Sequence, residues 1–114
     1  MDTRNKIIDL QAALRLDRQR LVVAAGAFDV LQAAHARFLD TIRPADGELL
    51  VVVWNDASLP QPILPEQARA QLVAALRAVT YVVIAARGGE LEALVKWAVP
   101  EDRNIIGVVL DRLA

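Results

Sequence analysis

The sequence predicts a three-layer α/β sandwich built on a small parallel sheet of about three strands, and three observations predict it. Residues 21–25 (LVVAA) are an aliphatic run short enough for a buried strand. The run breaks at Gly26 and resumes as apolar positions at helical spacing: Leu31, Ala34, His35, Phe38, Leu39 and Ile42. Residues 49–54 (LLVVVW) are apolar almost without interruption, which suits a parallel strand covered by helices on both faces. Residues 81–85 (YVVIA) form a third such run after a further helical stretch. Strand, helix, strand, helix, strand is the alternation of a doubly wound, Rossmann-like fold. With 114 residues the chain makes a single domain, 1–114, whose core needs neither disulfide nor metal.

In chain order, Asp2 or Thr3 caps a first helix, 3–15, with Ile7, Leu10 and Leu14 as its stripe, and the polar run 17–20 ends it. The first strand, 21–25, passes through Gly26 into a second helix at 30–43, where Asp29 and Gln32 have the spacing of a capping box. Asp46-Gly47 turns the chain into the second strand. Pro65 and Glu66 open a third helix with Leu72, Leu76 and Val79 inward, and 81–85 is the third strand. After Arg87-Gly88-Gly89, the residues Leu91, Leu94, Val95 and Ala98 fall at helical spacing in a short helix that Pro100 stops. Residues 102–113 read as a last helix or, because 105–109 is β-branched around Gly107, as a surrogate fourth strand.

Composition removes several function classes. Thirteen basic against fourteen acidic residues, a formal charge of −1, argue against nucleic acid or anionic lipid as a partner. Without Cys there is no thiolate chemistry, and one His with one Met predicts no dedicated transition-metal site. Any metal would be Mg²⁺ arriving with phosphate. No apolar run approaches the ~18 residues that span a bilayer, and the first ten residues lack a signal-peptide core, so a cytoplasmic location is expected.

The second helix opens at the carboxyl end of the first strand, where free N–H groups and the positive end of the helix dipole form a ready anion site. Phosphate is the default ligand. The second strand ends in Asn55-Asp56-Ala57-Ser58 beside the Gly26 turn, so Asn55 and Asp56 are expected to share a cleft with His35. Each residue also has a structural reading. His35, on the apolar stripe, fits a half-buried core histidine, neutral unless phosphate is bound. Gly26 is needed for the turn, Asn55 and Asp56 fit an Asx turn, and Gln32 fits a cap. Trp97 reads as core or interface, and Arg69, Arg77 and Arg87 as a solvated face.

The segment Gly26-Ala27-Phe28-Asp29-Val30-Leu31-Gln32-Ala33-Ala34-His35 resembles the signature Gly-x-Phe-Asp-x-x-His-x-Gly-His of the cytidylyltransferase-like nucleotidyltransferases, of the heptose-phosphate adenylyltransferase and glycerol-3-phosphate cytidylyltransferase type. Residues 6–10, 55–58 and, most closely, 62–83 are similar to further segments of that family in the same order. The resemblance implies transfer of a nucleoside monophosphate from ATP or CTP, with Mg²⁺, onto a phosphorylated substrate with release of pyrophosphate. It implies His35 as catalytic residue, and Gly26, Ala27, Phe28, Asp29, Gln32, Asn55, Asp56 and Arg103 as nucleotide- or phosphate-binding.

The departures fall on the chemistry. Gln32 stands for the first motif His and Ala34 for the Gly. The loop 59–65 has no Lys and carries Gln61 where the family has Arg, and Asn104-Ile105-Ile106 replace a Ser-Thr-Thr group. Losing one donor to the transition state typically costs ~10²–10³ in rate. The expectation is a vestigial nucleotide or phosphate site with weak or lost catalysis. The alternatives are a non-catalytic interaction module on the same fold, or an enzyme completed by a partner subunit. The family strand order resembles 3-2-1-4-5, so a sheet trimmed to three would leave 21–25 at an apolar edge. Either 105–110 or a second copy would have to cover it, and a homodimer is expected.

Overall fold

The aliphatic runs become the strands that their length and branching dictate. In a computed structural model describing residues 2–99, β1 is Leu21–Gly26, β2 is Glu48–Trp54 and β3 is Tyr81–Ala85, all parallel. Residues 102–113, and with them Arg103, lie outside the described residues. β1 and β2 pair with Leu21 opposite Glu48 through Gly26 opposite Val53, and β2 pairs β3 with Leu50 opposite Tyr81. A fourth strand, β4, is the two-residue segment Trp97–Ala98, parallel to β1 with Ala24 opposite Trp97. The sheet order is β3-β2-β1-β4.

Leu49 to Val53 are fully buried, and β2, flanked on both sides, sends alternate residues to two cores. On one face Ala24, Leu49, Val51 and Val53 pack against Leu39 of α2 (Ala33–Ile42) and Ala70, Val73 and Ala74 of α3 (Glu66–Ala74). On the other face Val23, Ala25, Leu50 and Val52 pack against Ala13 of α1 (Leu10–Leu14, numbered first in the chain) and Leu91. Each fully buried Val or Leu contributes about 1.5–3 kcal/mol. Three layers follow directly.

The structure departs from the sequence reading at the ends of elements. The sheet has four strands rather than three, and β1 is not an edge, because Trp97 and Ala98 pair with it. The helical spacing over 91–98 does not give an α-helix: Glu90–Leu94 is a 3₁₀ turn that hands the chain to β4. The predicted helix 3–15 is split into a 3₁₀ turn, Thr3–Lys6, and α1. Between them Ile7 bridges Val82, and the Ile8 N–H donates to the Val82 carbonyl at 2.8 Å. Adjacent β-branched residues thus cover the otherwise unpaired edge of β3. In α3 the buried stripe is Arg69, Ala70, Val73 and Ala74, while Leu72 is 41% exposed. Among the described residues no helix is long and apolar enough to cross a membrane.

Candidate functional site

Because β2 and β3 lie to one side of β1 and β4 to the other, the order reverses between β1 and β4. A crevice beyond the carboxyl ends of the strands at such a reversal is where doubly wound folds take their ligands. Gly26 ends β1 there, and space is short: a Cβ on Gly26 would stand 3.1 Å from Phe28 Cε2 and 3.1 Å from Val99 Cβ. Phe28 follows with φ 51°, a left-handed conformation that costs a non-glycine residue about 1–2 kcal/mol, and its ring is buried in the core.

α2 begins later than the sequence suggested, at Ala33 rather than near residue 30, with Gln32 as its N-cap. The capping box is formed by Gln32 and His35, not by Asp29 and Gln32. The Gln32 backbone N–H donates to His35 Nδ1 at 2.9 Å. With Nδ1 accepting, the neutral ring carries its proton on Nε2. His35 is fully buried and stands edge-on to Phe28, ring centroids 5.5 Å apart. Burial holds its pKa below the ordinary imidazole value, so the ring is neutral at pH 7.

Asp29 reaches across to the loop before α3. Its Oδ2 accepts from the Ile63 N–H at 2.6 Å and its Oδ1 from the Leu64 N–H at 2.9 Å. Asn55 is the cap of the 3₁₀ turn Asp56–Ser58, its Oδ1 accepting from the Ser58 N–H at 3.1 Å and from Ser58 Oγ at 2.7 Å. The Asp56 N–H donates to Glu66 Oε1 at 2.9 Å.

The residue that joins these segments is Arg69, which the sequence reading placed on a solvated face and the structure buries completely. Its Nη2 pairs with Asp56 Oδ1 at 2.6 Å. Nη1 donates to the carbonyls of Ala27 at 2.9 Å and Trp54 at 2.7 Å, and Nε to that of Leu64 at 2.9 Å. The ends of β1 and β2 and the lead-in to α3 therefore meet on one guanidinium. A weak sequence signal existed: Arg69 lies four residues before Val73, on the stripe that proves to be inward. At the end of β3, Arg87 stacks over Trp54, 5.3 Å from the ring centroid, and its N–H donates to Ser58 Oγ at 3.0 Å.

Of the residues singled out in the sequence, Gly26, Phe28, Gln32 and His35 are brought together around the start of α2. Ala27 and Asp56 are joined through Arg69, and Asp29 is turned toward the loop. Asn55 serves its own turn. Among the described residues no group of three or more His, Cys, Asp or Glu side chains is placed to hold a metal ion.

Comparison with known proteins agrees with this architecture. No protein-family model matches the chain. It is 40% identical over 74 residues to an FAD synthase of Methanospirillum hungatei, an alignment covering 62% of this chain and 45% of that protein. It is 36% identical over 88 residues to the bifunctional protein HldE of Koribacter versatilis, covering 72% of this chain and 18% of that one. Among solved structures, the lipopolysaccharide core biosynthesis protein of Thermoplasma volcanium aligns with TM-score 0.57 and 28% identity, covering 64% of this chain and 63% of that one. The chain thus spans about half the length of the FAD synthases it matches and about a fifth of HldE. Fold and these matches agree with the resemblance to the cytidylyltransferase-like nucleotidyltransferases, and the chain is similar to FAD synthases and to HldE over part of their length.

Proposed function

We propose that this domain binds a nucleoside triphosphate, ATP or CTP, through phosphate groups at the start of α2, and that it turns the nucleotide over weakly or not at all. One observation carries the reading. The histidine at the catalytic position of the motif, His35, is buried and neutral, with its Nδ1 engaged in the start of the helix it belongs to. A group held in this way orders the helix terminus better than it delivers charge to a leaving pyrophosphate.

The surroundings support the same conclusion. Gln32 offers a neutral amide where the motif has a second His, and it neither carries charge nor exchanges a proton. The loop 59–65 contains no Lys or Arg, and the guanidinium of Arg69 is committed to Asp56 and three carbonyls. The carboxylates at this end, Asp29 and Asp56, are likewise engaged, by backbone N–H groups and by Arg69. Mg²⁺ arriving with nucleotide would therefore take its ligands from phosphate oxygens and water.

Calorimetry with ATP and CTP in the presence of Mg²⁺ tests the binding half of the proposal: a dissociation constant of about 1 mM or tighter is expected. Silence with both nucleotides would favour an interaction module on the same fold. A pyrophosphate-release assay with sugar and glycerol phosphates tests the other half. Signal at the level of a buffer blank is expected, and robust multiple turnover would overturn it. We further propose self-association into a homodimer. β4 closes the edge of β1 within the chain, so the support for a dimer is Trp97, 40% exposed on β4 and stacked edge-on to Phe38 at 6.1 Å.

A further inference from the structure

Turn 26–32, which shapes the start of α2, is anchored on both sides of its one left-handed residue. Ahead of Phe28, the Ala27 carbonyl accepts from Arg69 Nη1 at 2.9 Å. Behind it, the Asp29 carboxylate holds the Ile63 and Leu64 N–H groups at 2.6 and 2.9 Å. Leu64 is in turn gripped from both sides, since its carbonyl accepts from Arg69 Nε at 2.9 Å. The contacts close into a ring: Arg69, Ala27, the chain through Phe28 to Asp29, Leu64, and Arg69 again. The same Nη1 also donates to the Trp54 carbonyl and the second arm, Nη2, reaches Asp56, fixing the end of β2 to the ring.

Arg69 is fully buried, so it does not itself meet a ligand. What it holds is backbone. A left-handed Phe is an unfavourable conformer that persists only where the surroundings over-determine it, and here its two neighbours are tied to a residue on α3 and a loop more than thirty residues away. Lysine at this position would keep the charge opposite Asp56 but has no planar fork to meet three carbonyls in three directions.

We propose that Arg69 is the positioning residue of the nucleotide site: its side chain, closed into a ring with Ala27, Asp29 and Leu64, sets the conformation of turn 26–32 in which the start of α2 faces the crevice. The proposal rests on the nucleotide-site reading for its functional consequence, and its structural half stands independently of nucleotide.

The test uses the full chain, comparing the unaltered protein with Arg69→Lys and with Arg77→Lys, an exposed control. Amide exchange is followed in 26–32 and 60–65 and in the core of β2, 49–54, and affinity for ATP with Mg²⁺ is measured well below the melting temperature. Arg69→Lys is expected to speed exchange in 26–32 and 60–65 about tenfold or more, to leave 49–54 unchanged, and to weaken ATP at least about tenfold. Arg77→Lys should change neither. Uniform acceleration that includes 49–54 would mean a merely structural role and overturn the proposal, as would unchanged exchange and affinity in a folded Arg69→Lys. Should Arg69→Lys not fold, Asp29→Asn, which weakens the opposite side of the ring, is scored by the same criteria. If the unaltered protein binds no nucleotide, the nucleotide reading falls and the exchange pattern alone decides the role of Arg69.

Discussion

The chain has a single histidine, which makes the protonation of His35 directly readable in the pH dependence of stability. The folded state holds the ring neutral, because its burial disfavours the imidazolium and its Nδ1 lone pair accepts from the Gln32 N–H. A proton placed on Nδ1 would remove that acceptor and set two donors face to face. In the unfolded chain the imidazole titrates at about 6.5. Since the folded pKa is depressed, the unfolded state binds more protons as pH falls. The stabilisation is therefore fully present above about pH 6.5 and is lost as pH falls below it toward the folded pKa. The limiting slope for one proton is about 1.4 kcal/mol per pH unit, which bounds the loss between pH 6.5 and 5 at about 2 kcal/mol. Ordinary carboxylates titrate mostly below this window, near 4. Urea denaturation at pH 7.5, 6.5, 5.75 and 5.0 measures the loss, with His35→Asn as the reference that cannot titrate there. A flat curve for the unaltered protein, or an equal slope in His35→Asn, would refute the argument that His35 is held neutral by burial and by its bond to Gln32.

Three further outcomes are expected. Gln32→His should leave pyrophosphate release at the blank, because it restores neither the loop cations nor an exposed His35; turnover in that variant would show that one donor alone was limiting. Gly47→Ala should lower the urea midpoint by the equivalent of about 1–3 kcal/mol, because the added Cβ would collide with the Arg20 carbonyl oxygen and press on Pro44 Cγ, and a change under 0.5 kcal/mol would contradict that packing. Trp97→Ser should shift sedimentation at micromolar concentration from dimer toward monomer, and a protein that sediments as a monomer before substitution would remove the dimer proposal.

The sequence by itself determined the three long strands, the turn at Gly26, the helix carrying His35, and the family resemblance. These are local properties. A fully buried parallel strand must be a short, nearly continuous aliphatic run, and Leu49 to Val53 cannot be read as anything more polar. The same locality misled where the pattern was short. Leu91, Leu94, Val95 and Ala98 have the spacing of a helix, yet backbone partners on β1 draw the last of them into a strand: the Lys96 N–H donates to Val23 O at 2.8 Å and the Val99 N–H to Ala25 O at 2.7 Å. A two-residue strand has no period for a sequence to display.

Only the tertiary structure decided what the polar residues do. Asp29 suits the adjacent helix terminus as a cap, but its two acceptor oxygens find N–H groups at 63 and 64, which no local spacing announces. Arg69 is the fullest case. A guanidinium is costly to bury unless nearly all its donors are met, and the groups that meet them come from the ends of β1 and β2 and from the loop before α3. Those three segments become neighbours only when the sheet has formed, so a charge that the sequence leaves on the surface becomes, in the fold, the point on which the candidate site is assembled.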